Sequence, residues 1–304
     1  MNSTKEHPRS QLTLAMILFG TIGLFVRQIP LPSSLIALVR GLTGSVFLLI
    51  FLKVTGRNVS WKQIRRNRWI LLLSGAAIGI NWILLFESYR YTTVAAATLS
   101  YYMAPVFVIL LSSLVLGERL TLSKLICVGL TLCGMILVSG VMRQRSGGTA
   151  DFQGILLGLG AAVFYATVIL LNQKLIDISA YDRTLVQLTV AALILLPYTL
   201  AAGPMTGHRL TLSETGFLLT VGILHTGIAY VLYFGSMKLL SAQTVAIYSY
   251  LDPVVAILLS RFVLNEQLTE EMVVGAVLIL GATLLFELLD RRKPDPGNAA
   301  SQNI

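Results

Sequence analysis

Ser100–Thr121 reads SYYMAPVFVILLSSLVLGERLT, and Tyr248–Thr269 reads YSYLDPVVAILLSRFVLNEQLT. Carried back to Gly79 and Gly227, the comparison gives 43 aligned pairs with 17 identities, among them Pro105/Pro253, Ser112/Ser260 and Glu118/Glu266. Apolar composition alone does not reproduce that agreement over that length, so the unit is duplicated. Both copies are long apolar runs interrupted by one proline.

The runs identify the solvent. The chain has 304 residues, 55 % of them hydrophobic and only 12 % charged, and its mean hydropathy is +0.78. A soluble domain carries about 25 % charged residues. Ten apolar stretches recur, at roughly 11–27, 33–53, 69–88, 93–115, 122–141, 152–172, 180–201, 214–235, 242–264 and 272–290. Twenty residues of helix span about 30 Å, enough to cross the hydrocarbon core. The expected fold class is an all-α membrane protein of ten transmembrane helices, embedded in a lipid bilayer. Val26-Arg27-Gln28 offers no small-residue cleavage site, so the first stretch reads as a retained helix rather than a signal peptide.

Charge and reactive residues exclude several classes. The net charge of +9 reads as loop charge that orients helices, not as a nucleic-acid surface, and no nucleic-acid partner is expected. Cys127 and Cys133 share one apolar run and read as small packing residues. With only His7, His208 and His225 available, a metal cluster is not expected. There is no Walker sequence for ATP hydrolysis, and no cofactor is expected. The basic stretch Lys53–Arg68 reads as a loop that sets topology and touches anionic lipid.

With the N-terminus inside, 16 Lys and Arg fall on inner segments and 6 on outer ones. Both termini are therefore expected in the cytoplasm, in the cell membrane. The first repeat is 1–146. The second is 147–304, ending in a polar tail after Arg291. Five spans per copy is an odd number, so the second copy enters the membrane upside down. The result is two inverted five-helix repeats about an axis in the membrane plane, the design that alternating access uses.

Several short stretches carry a family likeness. Phe86-Glu87-Ser88-Tyr89-Arg90-Tyr91-Thr92-Thr93 leads into a small-residue helix. Ala104-Pro105 and Leu116-Gly117-Glu118-Arg119-Leu120-Thr121 follow, with Phe19-Gly20 and Arg40-Gly41 upstream. Together they resemble the drug/metabolite transporter superfamily of EamA type, over about 10–290. The resemblance implies a ten-helix carrier whose relatives move amino acids, amines, sugars, nucleosides or drugs, often outward. The second copy departs from the first at Asn265, where Gly117 stands, and at Asp252, where Ala104 stands.

Asp252 is the leading candidate for chemistry. A carboxylate inside a span costs about 3 kcal/mol on insertion scales unless paired, hydrated or protonated. It could bind a proton or a cationic group. Tyr248 lies four residues earlier, which on a continuous helix is the same face. Pro253 lacks an N–H and frees the Ser249 carbonyl, and Pro105 does the same for Tyr101. Such a polar patch needs a cavity, because lipid cannot satisfy it. The bland alternative is a structural hydrogen-bond network.

Tyr101, Tyr102, Tyr248 and Tyr250 come from matching regions, and Trp82 and Tyr230 are repeat mates. They could cradle a small organic molecule, with cation–π attraction to an amine, or simply pack helices. Arg40 could meet an anion or pair with Glu87, and a structural role is favoured. Asn81 and His225 lie deep in their spans. His225 could relay a proton or be a satisfied packing residue. Gly154-x-x-x-Gly158 could join two chains or pack within one, and a functional monomer is expected. The sequence thus reads as a secondary transporter of a small metabolite such as an amino acid or amine, most simply an exporter, with possible proton coupling. A lipid-carrier flippase is the alternative, and a membrane enzyme or sensor is the rival class.

Overall fold

Proline placement decides where this bundle breaks. The computed structural model describes residues 8–116, 121–138, 149–201, 211–237, 239–240 and 248–290. Every regular element among the described residues is helical. In chain order they are α1 (Pro8–Arg27), α2 (Ser33–Val54), α3 (Trp61–Arg66), α4 (Arg68–Tyr91), α5 (Val94–Tyr101), α6 (Ala104–Leu116), α7 (Leu122–Val138), α8 (Thr149–Gln173), α9 (Ala180–Ala201) and α10 (Leu212–Gly222). A π-helical segment (Ile223–Ile228), α11 (Ala229–Met237), α12 (Leu251–Phe262) and α13 (Glu270–Asp290) follow. Pro105 and Pro253 both fall in the first turn of a helix, α6 and α12. A missing N–H costs nothing there, because first-turn N–H groups have no intrahelical partner. Each proline therefore starts a new helix, and α5 ends in the Tyr102–Met103 turn before α6 begins.

Seven stretches among the described residues are long and apolar enough to cross a membrane; they include Val94–Leu114, which spans the α5–α6 break, and Leu212–Ser236, which spans the π segment. The expected fifth span appears as the shorter α7, and the expected ninth is described from Tyr248 onward, with α12 as its helix. The join at 139–148 and the polar tail after 290 lie outside the described residues, as does Glu118. The basic connection expected to be a plain loop contains α3. Its Trp61 is exposed, as is Trp69 at the start of α4, the placement of indoles at a headgroup boundary.

Small residues set the helix crossings. α4 packs on α8 and α9, α2 on α9, α7 on α13, and α1 on α11 and α12. At the α7–α13 crossing, a Cβ on Gly134 would stand 2.7 Å from the Gly275 carbonyl oxygen, and one on Gly275 2.6 Å from that of Gly134. A Cβ on Gly154 would meet Thr92 at 2.7 Å and one on Gly158 would meet Ser100 at 2.8 Å. The Gly154-x-x-x-Gly158 pair thus serves packing inside the chain. Polar ties reinforce the α4–α8 contact: Ser88 Oγ donates to the Gly154 carbonyl at 2.7 Å and Asn81 Nδ2 to that of Ala161 at 2.6 Å. At the end where α4 begins, Asn67 clamps the α8–α9 turn, donating to the Ile176 carbonyl and accepting from its N–H, both at 2.9 Å.

The Gly117-to-Asn265 difference has a backbone explanation. After α12 the chain turns through Asn265 at φ +54°, and the Glu266 N–H bonds to the Ser260 carbonyl at 3.0 Å. That left-handed region is open to Gly and tolerated by Asn, so the two residues are interchangeable there on physical grounds.

Candidate functional site

The α5–α6 and α12 breaks meet. Tyr102, in the turn after α5, donates its hydroxyl to Asp252 Oδ2 at 2.9 Å. Asp252 is the second residue of α12, so its carboxylate projects from a fresh helix start rather than from a continuous span. The Ser249 carbonyl, which Pro253 cannot meet with an N–H, stands 3.5 Å from the same hydroxyl, at the edge of hydrogen-bond range. One polar junction therefore joins the first copy to the second. α1 supports it from outside: a Cβ on Gly20 would lie 2.6 Å from the Asp252 carbonyl oxygen, so only glycine lets α1 approach this closely.

Tyrosines line the space beside that junction. The Tyr101 ring sits 6.3 Å from Tyr102 and 5.4 Å from Tyr165 of α8. Tyr165 is also within electrostatic reach of Tyr230, Tyr233, Asp252 and Arg183. Those neighbours come from α5, α9, α11 and α12, so the ring points into the bundle. Yet 41 % of its surface is accessible. Tyr101, Tyr102, Tyr230 and Asp252 are all half-buried. Tyr230 stacks edge-on to Phe19 at 5.6 Å, which ties the wall back to α1.

Arg40 closes one side. It is 5 % exposed and its guanidinium lies 4.2 Å from the centre of the Trp82 ring and 5.6 Å from that of Phe86. Its Nε donates to Thr226 Oγ1 at 2.7 Å. Tyr230, Tyr101 and Tyr89 are within its electrostatic reach. Thr226 belongs to the π segment, where the widened turn leaves carbonyls that side chains answer. Thr226 Oγ1 donates to the Val221 carbonyl at 3.1 Å, and His225 Nδ1 stands 3.2 Å from that of Thr220. His225 Nε2 lies 2.7 Å from Thr21 Oγ1, and its ring packs against Phe25 at 4.9 Å. Both ring nitrogens of this fully buried histidine are thus engaged, as a satisfied packing residue requires.

The end of the bundle where α4 finishes carries a second polar cluster. Glu266 accepts from the Val94 N–H at 3.0 and 3.1 Å and from Ser260 Oγ, and it pairs with Arg27. It ties α1 and the start of α5 to the end of α12. Nearby, Glu87 accepts from Ser33 Oγ at 2.5 Å and lies 3.6 Å from Arg90.

Three expectations change. The helix that was to align Tyr248 with Asp252 is interrupted at Tyr250, so the i, i+4 argument lapses; Tyr248 packs near Leu12, Ala15 and Met16, and Tyr102 is the partner instead. The two tyrosine pairs do not form matching clusters, because Tyr250 lines an apolar groove of about 400 Å³ with Leu99, Ile257 and Met272. Arg40 does not pair with Glu87, which is held by Ser33 and Arg90 at the helix end. Asn81 binds a backbone carbonyl of α8 and acts there as a tie between helices.

Sequence reasoning missed Tyr165 and Arg183, which lie outside the aligned stretches, and Tyr233, which lies within one but aligns with Leu85 rather than with another tyrosine. Their signal was available in type and depth: two tyrosines inside apolar spans, and an arginine in the first turn of one. Among the described residues no group of three or more His, Cys, Asp or Glu could hold a metal ion.

Known proteins resemble this chain. Residues 11–140 and 152–288 match the EamA-like transporter family. A Bacillus subtilis protein named uncharacterized transporter YxxF is 31 % identical over 277 residues, 90 % of this chain and 88 % of that protein. An uncharacterized transporter of Archaeoglobus fulgidus is 28 % identical over 282 residues, 92 % and 96 % of the two chains. Protein RarD of Salmonella typhi is 27 % identical over 231 residues, 72 % and 74 % of the two. A solved crystal structure covers 95 % of this chain and 99 % of its own, with a TM-score of 0.64 at 20 % identity, a likeness of fold alone.

Proposed function

This chain belongs to the EamA-like transporter family, and from that premise we propose that it is a secondary active transporter, not an enzyme, moving a small metabolite across the cytoplasmic membrane by alternating access. The observation that carries the reading is the Tyr102–Asp252 hydrogen bond. It joins the two copies beside a group of half-buried tyrosines, Tyr101, Tyr102 and Tyr230. A carboxylate kept at that depth is costly, and intramembrane acids commonly mark the path of cargo or protons.

The Tyr102–Asp252 junction would then lie between two inverted five-helix repeats, 1–146 and 147–304, ten spans in all. Helix packing supports that arrangement. Exchange α1 with α8, α2 with α9, α4 with the α10–α11 stretch, α6 with α12 and α7 with α13. The α4–α8 contact then becomes α11–α1, α6–α8 becomes α12–α1, and the α2–α9 and α7–α13 contacts map onto themselves; every one of these contacts is present. Both termini would be cytoplasmic, as the loop charges favour. The chain would act as a monomer, with export as its direction and a proton bound at Asp252 as a coupling ion.

Counterflow in proteoliposomes, with cargo first found by a thermal-shift screen of amino acids, amines, nucleosides and sugars, tests the reading. Asp252→Asn keeps side-chain size but can neither exchange a proton nor neutralise an ammonium. Transport should fall at least about tenfold while the protein stays folded. Lower thermal stability with unchanged specific transport by the surviving protein would make Asp252 a helix tie and remove it from the mechanism.

A further inference from the structure

Two consecutive helices of this bundle stand apart. α12 packs on α1 and α5, whereas α13 packs on α7. The reasons are local. A Cβ on Gly20 would lie 2.6 Å from the Asp252 carbonyl oxygen, so α1 holds the start of α12 closely. Glu266 ties the far end of α12 to Val94 and Arg27. On the other side, Gly134 and Gly275 let α7 and α13 approach backbone to backbone. Each helix is held by a different partner, and a groove of about 400 Å³ opens between them.

The walls are apolar. Val254 and Leu258 line the groove from α12, Val277 and Gly281 from α13, and Leu99 of α5 forms its floor. Leu99 is fully buried, whereas Val254, Leu258 and Val277 are exposed, so the groove opens away from the bundle. Among its described lining residues only Tyr250 has a side-chain oxygen or nitrogen. Water does not fill such a space, because it needs several polar partners. Left empty, the walls lose dispersion contacts. A smooth lipid-facing surface holds no particular lipid, since acyl chains are as apolar as leucine. A groove differs, because only a chain lying along it fills it. The length suits one leaflet: from Tyr250, at the inner end, to Arg261 is about 16 Å of helix, against about 15 Å for half of the hydrocarbon core.

The mouth of the groove is charged. Val254, Leu258 and Arg261 recur four and three residues apart, so Arg261 continues the groove-lining face of α12 by one turn. It is exposed and takes part in none of the ion pairs among described residues; its Nη1 stands 3.5 Å from the Glu266 carbonyl. The first copy has Ser113 at the matching position, so this cation is not a requirement of the repeat. Glu270 and Glu271 open α13 at the same end, which disfavours a head of net negative charge. We propose that the groove is a lipid site: one acyl chain of a zwitterionic phospholipid such as phosphatidylethanolamine lies along it, and Arg261 meets the phosphate. A guanidinium pairs with phosphate through charge-assisted hydrogen bonds. Tyr250 precedes Asp252 by two residues, so the seated chain braces the start of α12.

Native mass spectrometry of the purified, delipidated full chain tests this. The probes are dioleoylphosphatidylethanolamine and dioleoylglycerol, which has the same chains and no phosphate. Wild type should bind a first phospholipid about fivefold more tightly than dioleoylglycerol, the weight of one arginine near a lipid phosphate, and Arg261→Gln should remove that difference. Gly281→Phe should fill the groove and abolish the first binding step. A Cβ on Gly281 meets nothing within 4 Å, so the ring enters open space and the fold survives, which an unchanged melting point in detergent checks. Gly281→Ala, too small to fill the groove, should keep the lipid. The proposal is overturned if wild type binds no phospholipid, if Gly281→Phe leaves the first step unchanged, or if phospholipid and dioleoylglycerol bind alike. It is equally overturned if Arg261→Gln keeps the difference, or if a second copy of the chain, dispersed by Gly281→Phe, is found in place of lipid. None of these results bears on the transporter reading.

Discussion

Replacing Glu266 by alanine should loosen the end of the bundle where α1, α5 and α12 meet. The carboxylate accepts from the Val94 N–H, from Ser260 Oγ and from Arg27. Its loss strands two buried donors, the Val94 N–H and the Ser260 hydroxyl. An unsatisfied buried donor costs about 1–3 kcal/mol, although hydrogen bonds measured inside membrane bundles average nearer 0.6 kcal/mol. The Arg27 pair adds little, because that side chain is 36 % exposed and solvent screens such pairs to about 0–1 kcal/mol. The sum is roughly 2–4 kcal/mol. At about 2–4 °C per kcal/mol for a chain of this size class, the unfolding midpoint in detergent should drop by roughly 4–16 °C. Glu266→Gln keeps one acceptor oxygen and should fall between wild type and alanine. Intrinsic fluorescence during a thermal ramp reads all three. An alanine variant that melts within a degree of wild type, or a glutamine variant that melts below alanine, would refute this account of the cluster.

Other perturbations follow from the same geometry. Asn265→Gly should be near neutral, whereas Asn265→Val forces a β-branched residue to positive φ and should cost about 1–3 kcal/mol, read by the same ramp. Gly134→Val should push α7 from α13, because a Cβ there already meets the Gly275 carbonyl at 2.7 Å; overpacking of this kind costs about 1–3 kcal/mol, and Gly134→Ala should cost less. A single cysteine placed at Ser146 in a chain with Cys127 and Cys133 replaced should be labelled by impermeant maleimide in intact cells. Labelling only after permeabilisation would reverse the proposed topology.

Legibility in the sequence followed from how local each feature is. The breaks at Pro105 and Pro253 were readable because a missing N–H acts within one turn. The same rule draws attention to the Ser249 carbonyl, which stands 3.5 Å from the Tyr102 hydroxyl. Tyr248 was misplaced for a related reason: helical spacing was carried across the very break that the proline announces. Arg40's surroundings were not readable. Thr226 lies 186 positions away, and only the crossing of α2 with the π segment brings it within 2.7 Å. The π segment itself left no pattern in hydropathy. Its one extra residue per turn is taken up by His225 and Thr226 bonding to carbonyls five residues back. That arrangement depends on a packed neighbour rather than on local propensity.

The repeat also sorts packing from chemistry. Positions that serve helix contact agree between the copies or change to a residue that meets the same constraint. Ser112/Ser260 and Pro105/Pro253 are identical, and Gly117/Asn265 pairs two residue types that both accept positive φ. Several polar positions around the Tyr102–Asp252 junction and Arg40 behave otherwise, although Tyr102 itself is matched by Tyr250. Asp252 faces Ala104 across the alignment, Trp82 faces Tyr230, and His225 stands where the first copy, two residues upstream of the aligned stretch, has Ala77. The first copy's α4 runs unbroken where the second inserts a π segment. A two-fold frame needs matched packing, because each half must fit the other in both orientations of a rocking cycle. A cargo has no such symmetry. The residues that recognise it are therefore free to break the repeat. On that logic the mismatched pairs deserve mutation before the matched ones, and restoring symmetry should separate the two classes. Asp252→Ala, which copies Ala104, should keep the fold and lose the cargo, whereas Ser260→Ala, at a matched position that supports Glu266, should lower the melting point and leave transport per folded molecule unchanged. Counterflow normalised to the folded fraction distinguishes them, and a reversed pattern would show that asymmetry in this chain marks drift rather than recognition.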